Sequence, residues 1–193
     1  MTFVKICGIT RPEDARVAVE AGADAIGVVV CSASPRSCTA AQARRIFAAV
    51  PPGVMRVAVS HTTTEEGLAE CLGTGADAVQ LSHPHRLPPT AAVRLIRVVA
   101  PGSPVPDDCD LVIIDGSHGT GQAFDLAYAR RVVASSLRPV LLAGGLTPEN
   151  VAEAIRAVRP FGVDVASGVE SAPGRKDHAR VRAFISAAKH SLT

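Results

Sequence analysis

The sequence has little net charge and no long apolar run, and these two absences exclude several classes of protein. Its 193 residues carry 20 Lys and Arg against 18 Asp and Glu, a formal net charge of +2 at pH 7. This balance predicts neither a nucleic-acid surface nor a membrane surface. No apolar stretch reaches the roughly 18 residues of a membrane-spanning helix. The opening residues Met1 to Lys5 lack the basic and apolar segments of a secretory signal.

The sequence also lacks the cysteine and histidine spacings that are typical of disulfide frameworks and metal sites. Its five cysteines are an odd number, and none belongs to a C-x-x-C pair. Disulfide frameworks are typical of short secreted chains with little core, whereas 47% of these residues are hydrophobic. We therefore expect a reduced, cytoplasmic protein. No histidine has a carboxylate partner at ligand spacing, so we expect no metal ion.

Apolar strands alternate with amphipathic helices along the chain. Strands are predicted over Phe3–Ile6, Ala25–Val30, residues 55–59, Ala78–Leu81, residues 111–114, Val140–Ala143 and Gly162–Val165. Helices are predicted over residues 12–21, from Thr39 with a Gln42 capping box, over 64–72, over 124–133, from Thr147, and over 177–189. Strands that are apolar on both faces and followed by helices indicate a parallel sheet in an α/β fold.

The order of elements favours a closed (β/α)8 barrel and an open doubly wound sheet equally. We expect one domain over residues 1–193, although a barrel of eight units more often needs about 250 residues. Residues 82–110 are too short for the helix, strand and helix that a barrel requires there. We expect a helix over residues 90–100 and a vestigial fifth strand over 103–106, with no room for a fifth helix. In the alternative interpretation, residues 95–99 form the fifth strand. The fifth βα unit is degenerate in both.

Glycines follow the last two predicted strands. Functional groups of a barrel gather after the carboxyl ends of its strands, and the loops after strands seven and eight often bind phosphate. Gly144 and Gly145 follow strand seven, and Ser167 and Gly168 follow strand eight. Backbone N–H groups in such loops can approach an anion closely, so we predict a phosphate site. The alternative is that these glycines only form tight turns.

Two residues at strand ends are candidates for proton transfer. Asp115 ends an apolar strand, where partial loss of solvation favours the neutral carboxyl and suits a general acid. Its alternative role is to cap the next turn. Cys7 follows the first strand, and a thiol there is by itself more often a core residue than a base. It becomes a candidate base because Asp115 would face it across the barrel mouth. A general acid and a general base next to a phosphate site together predict an enzyme that enolises a sugar phosphate.

Two loops add further candidates. Arg36 follows the second strand, where a guanidinium can bind a substrate carboxylate, although most loop arginines are only solvated. Gly119, Thr120 and Gly121 lie in the loop after Asp115, which can close over a substrate or serve as a slack connection.

Several motifs together resemble those of the phosphoribosylanthranilate isomerase family of tryptophan biosynthesis. They cover nearly the whole chain except residues 82–110. The matching motifs are Lys5-Ile6-Cys7-Gly8-Ile9-Thr10, Gly22-Ala23-Asp24-Ala25-Ile26-Gly27, Ser34-Pro35-Arg36, Val79-Gln80-Leu81, Asp115 with Gly119-Thr120-Gly121 and Phe124-Asp125, Gly144-Gly145-Leu146-Thr147-Pro148-Glu149-Asn150-Val151, Val163-Asp164-Val165-Ala166-Ser167-Gly168-Val169-Glu170 and Pro173-Gly174-Arg175-Lys176-Asp177.

The resemblance implies a (β/α)8 barrel and an Amadori rearrangement of N-(5-phosphoribosyl)anthranilate without cofactor or metal. By the same resemblance, Cys7 is the general base, Asp115 the general acid and Arg36 the carboxylate clamp. Gln80 and Asp164 would also bind the substrate, and Gly144, Gly145, Ser167 and Gly168 would bind its phosphate. We expect a monomer or a homodimer with this small phosphorylated molecule as its partner. The alternatives are an isomerase of a related aminated ribose phosphate and a non-catalytic phosphate-binding relative.

The chain departs from the family pattern at two positions outside the short fifth unit. Ser82-His83 stands where the family usually has His-Gly, so the histidine is displaced by one position. Leu126 stands where the family usually has Trp. Both departures allow a changed efficiency or substrate.

Overall fold

Eight parallel strands form a closed barrel in the computed structural model, which describes residues 1–99, 102–115 and 125–191. The strands are β1 (Phe3–Ile6), β2 (Ala25–Val30), β3 (Met55–Ser60), β4 (Ala78–Leu81), β5 (Arg94–Val99), β6 (Leu111–Asp115), β7 (Val140–Ala143) and β8 (Gly162–Val165). Consecutive strands pair in parallel, and β1 pairs with both β2 and β8. The predicted barrel is therefore confirmed, and the open sheet is excluded.

Side chains along each strand alternate between the barrel interior and the surrounding helices, as the pleat of a strand requires. One buried cluster contains Cys7, Ile96 and Ile113 and fills the interior. The other contains Val4 and Ile6 and packs against the helices. The same alternation places four polar residues on the interior face of their strands: Lys5, Gln80, Asp115 and Asp164.

Helices cover the outside of most of the barrel. They are α1 (Pro12–Glu20), α2 (Ala40–Phe47), α3 (Glu65–Leu72), α4 (Leu126–Ser135), α5 (Val151–Val158) and α6 (His178–Lys189). The predicted capping box of α2 is confirmed, since Thr39 and Gln42 bond each other's backbone N–H. Within the described ranges, every helix is too short or too polar to cross a bilayer.

The prediction that α5 begins at Thr147 is wrong. Residues 147–150 form a turn, and the helix begins at Val151. The Asn150 side chain accepts a hydrogen bond from the Thr147 backbone N–H at 2.8 Å and donates one to the Gly145 carbonyl at 3.0 Å. These bonds hold the loop after β7 in a fixed shape, so the helix starts one turn later than its proline suggested.

The prediction of a helix over residues 90–100 is also wrong, and the alternative of a fifth strand there is confirmed as β5 (Arg94–Val99). Residues 103–106 form no strand. No helix lies in residues 82–93 or in the described residues 102–110, so two βα units lack a helix rather than one. The β-branched Ile96, Val98 and Val99 suit a pleated surface between two neighbouring strands better than a helix.

A buried arginine ties together the two connections that lack helices. Arg97 in β5 donates to the carbonyl oxygens of His83 at 3.0 Å and His85 at 2.7 Å. It also pairs with Asp108 from the following connection at 3.1 Å. Residues 95, 97 and 99 face outward, so this guanidinium occupies the layer where a helix would otherwise pack. It satisfies the backbone carbonyls that a helix would have satisfied internally.

Replacing this arginine should destabilise the barrel. Arg97→Met leaves two loop carbonyls without their donor, and we expect the free energy of unfolding to fall by about 3 kcal/mol. Urea unfolding followed by circular dichroism measures the loss, since the chain has no tryptophan. Arg94→Met, at an exposed position of the same strand, should change stability by no more than about 0.5 kcal/mol. Equal unfolding midpoints for both variants would contradict this role of Arg97.

Candidate active site

One cavity of about 400 Å³ opens at the carboxyl end of the barrel. Its lining includes nine of the site residues predicted from the sequence: Cys7, Arg36, Gln80, Asp115, Gly144, Gly145, Asp164, Ser167 and Gly168. The structure thus brings the thiol, the carboxyl, the guanidinium and both glycine loops to one place. The predicted loop-closure residues Gly119, Thr120 and Gly121 lie outside the described residues. His83 does not belong to the lining.

A larger hollow of about 520 Å³ lies at the opposite end of the barrel, and it is a poorer candidate. Pro51 to Arg56, Asp77 and Arg94 line it, and these residues begin or precede their strands. Its arginine Arg56 is already bound to Asp77, with Nη2 and Oδ1 2.6 Å apart. Because groups that do chemistry in this fold gather at the carboxyl ends, the smaller cavity is the candidate active site.

Cys7 lines the cavity and is only 8% exposed. Burial raises the pKa of its thiol, and Lys5 partly opposes this effect. Asp164 also raises the pKa of Cys7, while Lys176 lowers it, and the pKa remains above its ordinary value. The thiol is therefore favoured over the thiolate at neutral pH, and the Lys5 cation beside it reduces the cost of forming the thiolate that can act as a base.

Arg36 is held in place by a carboxylate from the other side of the mouth. Its Nε and Nη2 donate to Glu170, with the shortest distance 2.7 Å. Lys176, whose side chain is fully buried, donates to the same carboxylate at 2.8 Å and to the Ala166 carbonyl at 3.0 Å. Burial raises the pKa of Glu170, but the bonds from Arg36 and Lys176 outweigh it and hold that pKa below its usual value. Glu170 is therefore a charged anchor for Arg36.

Glycine is required next to this anchor. Gly8 has a φ of +70°, and a Cβ there would approach the Arg36 Cδ to 2.7 Å. Gly8 follows Cys7 directly, so the lack of a side chain lets the guanidinium stem pass close to the thiol. Packing therefore explains why the motif that begins at Lys5 has glycine at its fourth position, Gly8.

The two glycine loops touch each other at the side of the cavity that the sequence predicted for phosphate. Gly144 and Gly145 have φ values of +93° and +63°, which residues with side chains rarely adopt. A Cβ at Gly168 would collide with the Leu146 carbonyl oxygen, so Gly168 allows the loop after β8 to pack on the loop after β7. Ser167 begins a single 3₁₀ turn over Ser167–Val169. Backbone N–H groups at the start of such a turn have no carbonyl partner within it.

Two further side chains offer polar contacts to a ligand. Gln80 is 7% exposed, and its buried Oε1 has no hydrogen-bond partner within the described part of the chain. A buried amide oxygen without a partner is costly, so a ligand that donates a hydrogen bond here would be stabilised. His61 lines the same cavity and its Nδ1 lies 2.9 Å from the Ser32 hydroxyl. Burial, and to a lesser extent His83, lowers the pKa of His61.

The sequence reasoning did not single out Lys5, Glu170 and Lys176. A signal for Lys5 was present, since a lysine inside the apolar strand Phe-Val-Lys-Ile has to find an anion. The aspartate of the strand Gly-Val-Asp-Val is such an anion. The two can meet only when the barrel closes, because closure makes β1 and β8 neighbours. Glu170 carried no comparable signal, since its bond to Arg36 joins residues 134 positions apart.

The comparison with known proteins now decides the family. The sequence model described as N-(5'phosphoribosyl)anthranilate (PRA) isomerase matches residues 4–187. The chain belongs to this family. A PRA isomerase from Methanoregula boonei is 54% identical over 189 residues, which cover 97% of each chain. The resemblance read from the motifs is confirmed, and with it an enzyme that isomerises phosphoribosylanthranilate in tryptophan biosynthesis.

Solved PRA isomerase structures agree with the fold. The Thermus thermophilus protein has a TM-score of 0.83 at 36% identity, covering 96% of this chain and 98% of its own. Another PRA isomerase structure is a complex with reduced 1-(o-carboxyphenylamino)-1-deoxyribulose 5-phosphate. It has a TM-score of 0.78 at 36% identity and covers 98% of this chain and 99% of its own.

Proposed function

We propose that this cavity converts N-(5-phosphoribosyl)anthranilate into 1-(2-carboxyphenylamino)-1-deoxyribulose 5-phosphate, with Cys7 as the general base and Asp115 as the general acid. The observation that carries the proposal is the shared cavity, in which a thiol, a carboxyl, a guanidinium and two glycine loops meet. The relative bound to a reduced carboxyphenylamino sugar phosphate supports this substrate class.

The substrate has two anionic ends, and the cavity offers a place for each. Its phosphate binds the backbone of Gly144, Gly145, Ser167 and Gly168, where N–H groups favour an anion. Its anthranilate carboxylate binds Arg36. Glu170 occupies the Nε and Nη2 edge of that guanidinium, so Nη1 is the donor that we assign to the ligand carboxylate. Anchoring at both ends holds the ribose between Cys7 and Asp115.

The reaction moves protons and needs no redox step. Asp115 donates a proton to the ribose ring oxygen, the bond from that oxygen to C1′ breaks, and the nitrogen lone pair forms a protonated Schiff base. Cys7 as thiolate then removes the proton on C2′, and the electrons of that bond form an enolamine and neutralise the nitrogen. The Cys7 thiol then gives its proton to C1′ of the enolamine, and the Asp115 carboxylate takes the enol proton. These two transfers form the ketone and restore the thiolate and the acid.

The remaining predicted residues support this chemistry. Gln80 presents its buried amide oxygen to a substrate donor, and Asp164 lines the cavity while bound to Lys5. We propose that the reaction needs no cofactor and no metal ion. We also propose that residues 1–193 form one barrel domain, which acts as a monomer or a homodimer.

We place the enzyme in the cytoplasm. All five cysteines are free thiols and all five lie in the described ranges. Cysteines in oxidising compartments are commonly paired, so free thiols fit a reducing one.

The activity is tested by following the loss of phosphoribosylanthranilate fluorescence with the purified chain. We expect turnover without added metal or cofactor, and unchanged turnover after treatment with a chelator. Binding of the substrate without turnover would contradict the proposal and favour a phosphate-binding relative.

Removing the anchor of Arg36 should weaken substrate binding more than chemistry. In Glu170→Gln the carboxylate that orients the guanidinium is lost, and we expect KM to rise about tenfold while kcat falls less than threefold, a loss of about 1.4 kcal/mol in binding. Steady-state kinetics measure both constants. Glu149→Gln removes an exposed carboxylate paired with Arg180 and should leave both unchanged. A fall in kcat alone would contradict the anchoring role.

A further inference from the structure

A lysine is buried beneath the candidate active site. Lys5 is 0% exposed, and its neighbour across the strand pair is Asp164. Its Nζ lies 2.8 Å from the Asp164 Oδ1, and the two side chains are 1% and 9% exposed. Ion pairs this deeply buried bring little net stability relative to apolar residues of the same size, because both ions lose their hydration. Their presence at a cavity wall therefore calls for a functional reason.

Lys5 also lies next to the thiol. Its charge opposes the rise that burial causes in the pKa of Cys7. The Lys5 ammonium and the Cys7 sulfur both lie against Gly27 of the neighbouring strand β2. A Cβ at Gly27 would lie 2.9 Å from Cys7 Sγ and 3.2 Å from Lys5 Nζ. The missing side chain of Gly27 thus leaves a space that the ammonium and the sulfur both border.

Among the described residues, charged side chains face the thiol from four elements. Lys5 faces Cys7 from β1, Asp164 from β8, Lys176 from the short strand Arg175–Lys176 and Arg36 from the loop after β2. Lys176 and Arg36 are both bound to Glu170. Burial alone lowers the pKa of Lys5, but Asp164 and Cys7 outweigh burial and raise it, so Lys5 remains charged.

We propose that Lys5 is the positioning residue for the base of this reaction: its buried ammonium, held by Asp164 in the space that Gly27 leaves open, orients the Cys7 sulfur and compensates the charge of the thiolate. Asp164 then has a second task besides lining the cavity, which is to fix the ammonium. Asp164 and the thiolate share this cation, so Asp164 moderates how strongly Lys5 stabilises the deprotonated sulfur. The inference rests on the proposed role of Cys7 as the base.

The test measures the thiol directly and does not depend on turnover. Iodoacetamide reacts with the thiolate, so the rate of Cys7 alkylation against pH, followed by mass spectrometry of the Cys7 peptide, gives the midpoint of its titration. Rates are normalised to the plateau at high pH, which removes differences in access. Lys5→Met should raise the midpoint by one unit or more, which slows alkylation about tenfold at pH 7.

Asp164→Asn should move the midpoint the other way. Loss of the carboxylate leaves the ammonium to the sulfur alone, so thiolate forms at lower pH. General loosening of the site would hydrate the thiol and lower the midpoint in both variants, so opposite shifts separate a specific role of Lys5 from a structural one. Lys189→Met removes a lysine paired with Asp24 away from the cavity and should leave the midpoint unchanged.

A double variant controls for misfolding. Lys5→Met leaves Asp164 buried without its partner, whereas Lys5→Met/Asp164→Asn removes both charges together. We expect the double variant to have a higher midpoint than Asp164→Asn alone. Equal midpoints in these two variants, or a lower midpoint in Lys5→Met, would overturn the inference.

Kinetics give a second readout. Lys5→Met should lower kcat at least tenfold with a smaller change in KM, and its pH profile should shift to higher pH in parallel with alkylation. Normal turnover in Cys7→Ser would instead overturn the role of Cys7 as base, whatever the titration of Lys5 variants shows.

Discussion

Cys7→Ser should lose about 10² to 10⁴-fold in kcat while KM for phosphoribosylanthranilate changes little. The hydroxyl is close in shape to the thiol but far less acidic, so the alkoxide is hardly formed even beside Lys5. Removal of the C2′ proton then lacks a competent base. The phosphate loops and Arg36 are untouched, which is why binding should persist. The fluorescence assay measures both constants.

The control for this substitution is Cys109→Ser. Cys109 is also buried, at 5% exposure, but lies near Pro106 in the connection between β5 and β6, outside the cavity lining. It should retain full turnover. Wild-type turnover in Cys7→Ser would remove the thiol from the mechanism.

Asp115→Asn should cause a loss of similar size, again about 10² to 10⁴-fold in kcat. The amide keeps the shape of the side chain but has no acidic proton to give to the ribose ring oxygen, so ring opening slows. Asp115 lies at the carboxyl end of β6, opposite Ala143 of β7, and its backbone position is fixed by this pairing. We therefore expect the variant to fold and to bind substrate.

Asp107→Asn makes the same chemical change at an exposed position and should have no effect on turnover. If Asp115→Asn turned over as fast as this control, ring opening would not depend on the carboxyl. A loss in Asp115→Asn together with normal activity in Cys7→Ser would assign the acid and leave the base unidentified.

Much of the barrel was predictable because its strands are apolar on both faces. The bounds of β1, β2, β4, β7 and β8 match the predicted ranges. A Gly, Pro or polar residue lies within two positions of both ends of each of these runs. The clustering of the candidate site residues was predictable for a related reason. Their place after strand ends follows from the order of elements, and closure of the barrel then brings distant loops into one cavity.

The segment after β4 was not predictable in the same way. Residues 90–100 have a cap, an apolar pattern and a Pro-Gly stop that favour a helix, yet Arg94–Val99 is a strand. The closed sheet needs a strand between β4 and β6, and this tertiary demand overrides local preference. Arg97 then satisfies the loops that replaced the helices, through bonds that no local pattern reveals.

The ion pairs that hold the site's side chains in place could not be predicted from local sequence patterns, again for a physical reason. Lys5 and Asp164 are 159 positions apart, and Arg36 and Glu170 are 134 apart. Such pairs are neighbours only through closure of the barrel and the path of the loop after β8. The sequence predicted the groups that we propose to touch substrate, while the pairs that hold Lys5 and Arg36 in place became visible only in the fold.

The central claim is that Cys7 and Asp115 act on one sugar phosphate held at both ends. A crystal structure of this chain with reduced 1-(o-carboxyphenylamino)-1-deoxyribulose 5-phosphate tests it most directly. We predict the phosphate on the backbone of Gly144 to Gly145 and Ser167 to Gly168, and the carboxylate on Arg36. The Cys7 sulfur and the Asp115 carboxyl should then contact the sugar carbon chain from different sides. A ligand bound in this orientation with either group beyond hydrogen-bond reach of the sugar would contradict the account.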